Sequence, residues 1–151
     1  MNKDSAIEVT KFLPHRAPFL VVDRITFLGS DNISSTFKIP EDSIFLEDNF
    51  FSEVGLLECA AQSCSTIVGK PYVEKEASKN EKVQLIGYIS SIKKAKIYAL
   101  AKAGEHIEIR ARLISNFEAV DYQLCTMVCD ITKKKIKLLS CELNLVIREV
   151  N

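Results

Sequence analysis

Glu58 is a carboxylate set in a run of small and apolar residues, Val54-Gly55-Leu56-Leu57-Glu58-Cys59-Ala60-Ala61-Gln62-Ser63-Cys64-Ser65-Thr66-Ile67-Val68-Gly69. Taking a bare charge out of water is costly, so its position asks for a chemical reason. Burial favours the neutral carboxyl and raises its pKa. A carboxyl that keeps its proton near neutral pH can hand that proton to a leaving hydroxyl. On a helix, Gln62 lies one turn beyond Glu58 and Ser65 almost one turn further. The Gln62 amide can therefore orient the acid or bond a facing backbone. The chain holds two histidines as candidate bases. His15 sits in Leu13-Pro14-His15-Arg16-Ala17-Pro18, a turn stiffened by two prolines. His106 follows Gly104-Glu105 and reads as a surface residue at a strand start.

The elements that must hold these groups follow from the flanking pattern. Ser52 is a natural N-cap for a helix over residues 54–69, with Phe50 and Phe51 just ahead of it. Gly69 and Pro71 are stop signals. Val54, Leu57, Ala61, Cys64 and Val68 form a stripe at 3-4-3-4 spacing. Residues 70–82 are mixed in charge and read as a solvated loop or surface helical turn. Ser5, with Glu8 three residues on, predicts a short capped helix over 6–13, stopped by Pro14. Strands are expected over 19–28 and 33–39 as a hairpin, then an acidic connection over 40–49. After Lys82 the pattern is strand throughout: 83–92, running on into 93–103, then 105–115, and a hairpin of 120–131 with 136–147. Gly87 marks a bulge or a close approach. One nearly apolar helix beside that much strand predicts an α+β fold, a long central helix wrapped by a curved antiparallel sheet. The whole of 1–151 reads as a single domain, with no repeat and no internal boundary.

Composition narrows the function. Lys plus Arg and Asp plus Glu number 20 each, so the net charge is zero, against a nucleic-acid binder. No run is long enough for a membrane span, and residues 1–10 lack the apolar core of a signal peptide; a cytoplasmic protein is expected. The five cysteines have no C-x-x-C spacing and read as buried, inert thiols. With two histidines, neither a metal site nor a cofactor is expected.

Two stretches carry a family resemblance. Leu13-Pro14-His15-Arg16-Ala17-Pro18-Phe19-Leu20-Val21-Val22-Asp23-Arg24 and Leu57-Glu58-Cys59-Ala60-Ala61-Gln62 resemble motifs of the hot-dog-fold β-hydroxyacyl-[acyl-carrier-protein] dehydratases of the FabZ/FabA type. The resemblance implies a hot-dog fold, edge-to-edge dimers and an acyl tunnel at their interface. It implies removal of water from a 3-hydroxyacyl thioester on acyl carrier protein or CoA, with a histidine from one protomer and the helix acid from the other. Glu58 and Gln62 match the family's acid and glutamine. The family's second motif, a Gly-His-Phe-Pro loop and Met-Pro-Gly turn before the helix, has no counterpart: Phe51 is followed directly by Ser52-Glu53-Val54-Gly55. Dehydratase-like proteins of aryl-polyene pigment pathways are similar to this shortened pattern.

The resemblance leaves three functions open. In a variant dehydratase, Glu58 is the acid, and His15 or a water replaces the missing base. In a partner role, Glu58 completes the half-site of a His-bearing paralogue in a heterodimer. In an acyl thioesterase, Glu58 is the base and the Gly55 N–H, at a helix N-terminus, meets the thioester carbonyl. Substrate contacts are expected from Gln62, Gly55 and Phe51. Lys93, Lys94, Lys96, Arg16 and Arg24 are candidates for meeting an acidic carrier. A histidine within about 3–6 Å of Glu58 favours a self-contained pair, given the reach of proton transfer.

Overall fold

Ile107, Ile109 and Ala111 alternate with Glu108, Arg110 and Arg112, and this period of two becomes a strand with its apolar residues buried and its charges outward. The same rule builds the rest of the sheet in the computed structural model, which describes residues 7–79 and 84–150. The strands are β1 (Arg24–Leu28), β2 (Asn32–Lys38), the two-residue β3 (Leu46–Glu47) and β4 (Phe50–Phe51), β5 (Gln84–Ile97), β6 (His106–Glu118), β7 (Gln123–Lys133) and β8 (Ile136–Val150). One helix, α1 (Glu53–Lys79), lies between β4 and β5. Six strands form one sheet in the order β1-β2-β6-β7-β8-β5, every pair antiparallel. The helix contacts β2, β5, β6, β7 and β8, so the sheet curls around it as expected. β3 and β4 pair separately, just ahead of the helix. Lys134 and Lys135 turn the β7–β8 hairpin with φ of 45° and 67°, the backbone of a two-residue type I′ turn.

Ser52 caps α1 as expected: its Oγ accepts the Gly55 N–H at 3.2 Å. The far end differs. The helix runs for 27 residues, through Gly69 and Pro71. Gly69 does not stop it: the residue is buried in the helix beside the Phe12 carbonyl and Leu85, at ordinary contact distance. Past Pro71 the helix is held by Tyr72, whose hydroxyl accepts a hydrogen bond from Gln123 Nε2. The buried arc is wider than the expected stripe, of which Ala61, Cys64 and Val68 are buried and Leu57 is partly so. Val54 is 64% exposed, while Leu56, Cys59, Ala60, Ser63 and Ile67 are sealed. Ser63 shares a 2.8 Å hydrogen bond with Ser35 of β2, which satisfies two hydroxyls inside the core.

The expected N-terminal helix is only a 3₁₀ turn, Val9–Lys11. Ile7 is drawn into an extended bridge with Ile25 instead, and Ser5 and Ala6 lie outside the described residues. The first strand begins at Arg24, not at 19, because the backbone before it is engaged elsewhere. The Phe19 and Leu20 N–H groups turn back to the Arg16 carbonyl, and the Val21 N–H goes to a helix side chain.

β5 is a sheet edge, starting at Gln84, with Val83 outside the described residues. Its register with β8 is broken twice, between Ile89 and Ser91 and between Ile92 and Lys94. Gly87 lies in regular register opposite Ile147; its smallness serves a close approach to α1, not a bulge.

The five cysteines are free and buried. Burial pushes the Cys59 thiol up, and burial beside Cys64 pushes Cys125 up to about 11, so few thiolates form. Among the described residues no helix is long and apolar enough to cross a membrane.

Gly55 gives a clean stability test. A methyl group there would stand 2.7 Å from the Phe51 ring and 2.9 Å from Phe45 Cβ. Phe51 is sealed in the core and Phe45 packs against it, so Gly55→Ala is expected to cost about 1–3 kcal/mol in denaturant unfolding.

Candidate active site

Gln62 is the organising side chain. Its Oε1 accepts the Val21 N–H at 2.9 Å, and its Nε2 donates to the Phe19 carbonyl at 2.9 Å and to Glu58 Oε1 at 2.8 Å. All three bonds require this orientation of the amide, because flipping it would set donor against donor and acceptor against acceptor. Gln62 thus ties the chain before β1 to the helix and fixes one oxygen of Glu58. Cys59 adds a weaker tie, its thiol donating to the Val21 carbonyl.

Glu58 is not sealed in the apolar rod. Its side chain is 32% exposed and faces a small hollow of about 60 Å³ shared with His15, Ser65, Gly87 and Ile89. Val54, one turn earlier, is exposed beside it, as is Ile89 of β5, which lines the same hollow. The acid stands on an open face bordered by uncovered apolar groups.

His15 does reach the acid. Its Nε2 lies 3.8 Å from Glu58 Oε1, with the imidazole equally one-third exposed. Its Nδ1 is buried without a hydrogen-bond partner. A proton on Nδ1 would be an unsatisfied buried donor, so the neutral ring favours the tautomer with its proton on Nε2, facing the carboxylate. In that form the Nε2–H faces Glu58 across 3.8 Å, beyond hydrogen-bond distance.

The other expected contacts separate from this pair. Phe51 is fully buried between Phe37 and Phe45, with centroids 5.8 and 6.0 Å away, and does not line the hollow. Gly55 lies beneath that ring, and its N–H is taken by Ser52. Both serve packing at the helix start. His106 is exposed at the opening of β6, opposite Lys38. The basic residues form no single patch. Arg16 folds back onto the carbonyls of Leu13 and His15, and Lys93 pairs with Glu142. Lys94 and Lys96 line an outer-face hollow with Arg110 and Arg112. The backbone of residues 19–21 is the part of the site that side-chain chemistry did not reveal; the one signal for it is a glutamine on a buried helix face.

Residues 7–150 match the ApeP-like family, described as ApeP dehydratase. The chain belongs to the ApeP-like dehydratase family. It is 32% identical over 124 residues to a 3-hydroxyacyl-[acyl-carrier-protein] dehydratase FabZ of Sulfurimonas denitrificans, covering 73% of this chain and 76% of that one. A FabZ of Sulfurovum sp. is 28% identical over 123 residues, covering 77% and 80%. Among solved structures, the dehydratase heterocomplex ApeI:P of Xenorhabdus doucetiae superposes with a TM-score of 0.76 at 17% identity, covering 96% of this chain and 92% of that one. The PaaI protein of E. coli gives 0.60 at 9% identity, covering 82% and 81%. These likenesses establish the hot-dog fold for this member of the ApeP-like family. Its helix acid and glutamine stand together as the family resemblance implies.

Proposed function

We propose that this chain is the acid-bearing subunit of a dehydratase that removes water from 3-hydroxyacyl thioesters on acyl carrier protein, as a cytoplasmic step of fatty-acid or polyene synthesis. The observation that carries this reading is the Gln62-held Glu58 on an open, apolar-bordered face. In the step itself, a base takes the proton next to the thioester carbonyl. Glu58 in its protonated form gives a proton to the 3-hydroxyl, the C–O bond breaks, and water and an enoyl thioester leave.

The base divides two versions of the reading. The 3.8 Å separation is within reach for a pair made by His15 and Glu58 alone, in a homodimer. The tautomer favoured by the buried Nδ1 opposes it, because the nitrogen facing the site already carries a proton. We favour a second, His-bearing subunit that closes the open face along the free edge of β5, an arrangement supported by the two-component ApeI:P assembly of similar fold. A thioesterase is disfavoured because the Gly55 N–H, its oxyanion donor, is already bonded to Ser52.

The test is turnover of a 3-hydroxyacyl carrier-protein substrate by the purified chain, alone and mixed with a His-bearing dehydratase paralogue. Activity in the mixture above that of either component supports the two-subunit version. Full activity of the chain alone supports the His15 version. Thiol release without enoyl formation, or no turnover in any mixture, overturns the proposal.

A further inference from the structure

The outer face of the sheet carries an apolar row held in register. Phe117 of β6 stands opposite Leu124 of β7, Leu124 opposite Val146 of β8, and Val146 opposite Tyr88 of β5. Partners in register share a face. Cys125, Leu145 and Ile147, their neighbours along the strands, are buried on the inner face, so this row points away from α1. The core does not use it: Phe117 is 63% and Tyr88 50% exposed, and Val120, at the tip of the β6–β7 hairpin, is fully exposed. Single exposed apolar residues are ordinary, but a row across four strands is a patch of the kind that marks a contact.

The next row along the strands is polar and already satisfied. Thr126 Oγ1 donates to Asn144 Oδ1 at 2.8 Å, and Asn144 Nδ2 donates to Ser91 Oγ at 3.0 Å, so this row can be covered without stranding the Asn144 amide. The row beyond is Arg112, Val128, Glu142 and Lys94, with Glu142 held by Lys93 at 3.4 Å. In the other direction the face ends at the hairpin tip, where Val120 and Asp121 are exposed. Neither Arg112 nor Asp121 is in an ion pair among the described residues.

An isologous contact uses one patch twice, and these spacings fit one two-fold axis. The tip lies about three residues, ~10 Å, to one side of the apolar row, and Arg112 with Val128 lies about four residues, ~14 Å, to the other. An axis along the row sets the row on itself and brings the tip of each copy over the Arg112 row of the other. Tip and row both belong to β6 and β7, so Asp121 meets Arg112 and Val120 meets Val128. Arg148, exposed two residues past Val146, then falls between Asn144 and Glu142 of the other copy. An axis along the strands would instead set Arg112 of β6 against Lys94 of β5, like charge against like, so charge selects the first arrangement. By strand rise and spacing the face is about 25 Å long and about 20 Å wide with its side chains. Two such faces bury on the order of 1,000 Å², the lower bound for a specific contact.

We propose that two copies of this chain pack outer face to outer face with antiparallel strands, the Phe117–Leu124–Val146–Tyr88 row at the centre and an Asp121–Arg112 pair at each end. The contact leaves the β5 edge open to a further subunit. It does not rest on the dehydratase reading, because it is read from molar mass and not from turnover.

The experiment is light scattering and sedimentation of the purified chain over a concentration series. Phe117→Glu should halve the molar mass and leave the melting temperature unchanged, since its side chain is exposed. Arg112→Asp and Asp121→Arg should each weaken association about tenfold or more, because each sets like charges together twice per contact. The two combined in one chain should restore it, since every pair is then reversed on both sides. A molar mass that Phe117→Glu leaves unchanged, or a double variant as weak as the single ones, overturns the proposal. Tighter association in Arg112→Asp would place Arg112 against Lys94 and overturns it too. So does a native chain that stays monomeric and uses Phe117 only to bind a His-bearing paralogue, which assigns the row to that partner.

Discussion

Glu58→Gln is expected to reduce dehydration by the active assembly by about 10²–10⁴-fold, the usual share of a general acid, with little change in melting temperature. The substitution is nearly isosteric. A glutamine oxygen can still accept the Gln62 amide that now reaches Glu58 Oε1 at 2.8 Å, so the frame of the site survives while the transferable proton is lost. Because that proton is used in the transition state, kcat and kcat/KM should fall together. His15 gives the companion measurement. If its Nε2–H only faces the acid, His15→Asn should cost about tenfold or less, whereas a base would cost as much as Glu58 itself. Comparable losses at both positions would refute the tautomer argument and leave a self-contained pair.

The second large effect is on stability. Gln62→Leu keeps the side chain's approximate size but removes three hydrogen bonds. It strands the Val21 N–H and the Phe19 carbonyl against the helix. Buried groups left unpaired cost about 1–3 kcal/mol each, so a total loss of about 2–4 kcal/mol is expected. For a chain of this size that is a fall of about 5–15 °C in melting temperature, read by calorimetry. Gln62→Glu distinguishes the two jobs of the amide. It keeps an acceptor for Val21 but sets a carboxylate oxygen against both the Phe19 carbonyl and Glu58, so it removes the donor side of the amide alone and should lower both stability and activity. A Gln62→Leu protein with native stability would show that the segment before β1 is held by other contacts.

Much of this architecture was legible in the chain. Alternation at Ile107, Ile109 and Ala111 is enough to place a strand and its buried face, and an apolar run capped by Ser52 is enough to place the helix start. The helix end was not legible. Gly69 and Pro71 are local stop signals, but the Phe12 carbonyl beside Gly69 and the bond from Gln123 to Tyr72 are tertiary facts. Similarly, the apolar run from Phe19 to Val22 reads as strand because local pattern cannot show that the Val21 N–H is claimed from 41 residues away. The candidate site divides in the same way. Glu58, Gln62 and His15 were visible by residue type and motif, and they do meet. Gly55 and Phe51 sat close in sequence, yet a residue near the acid along the chain can belong to the core: the Phe51 ring points into it, and Gly55 lies packed against that ring.

The twice-broken edge of β5 has a consequence for what the protein can pair with. A straight strand laid along it stays in hydrogen-bonding phase only up to Ile89, then loses step after each interruption. Any chain that zips the full edge must carry offsets at matching places, like a key cut for one lock. The irregularities that weaken β5 as a generic template for aggregation would equally make it selective towards any strand that pairs with it.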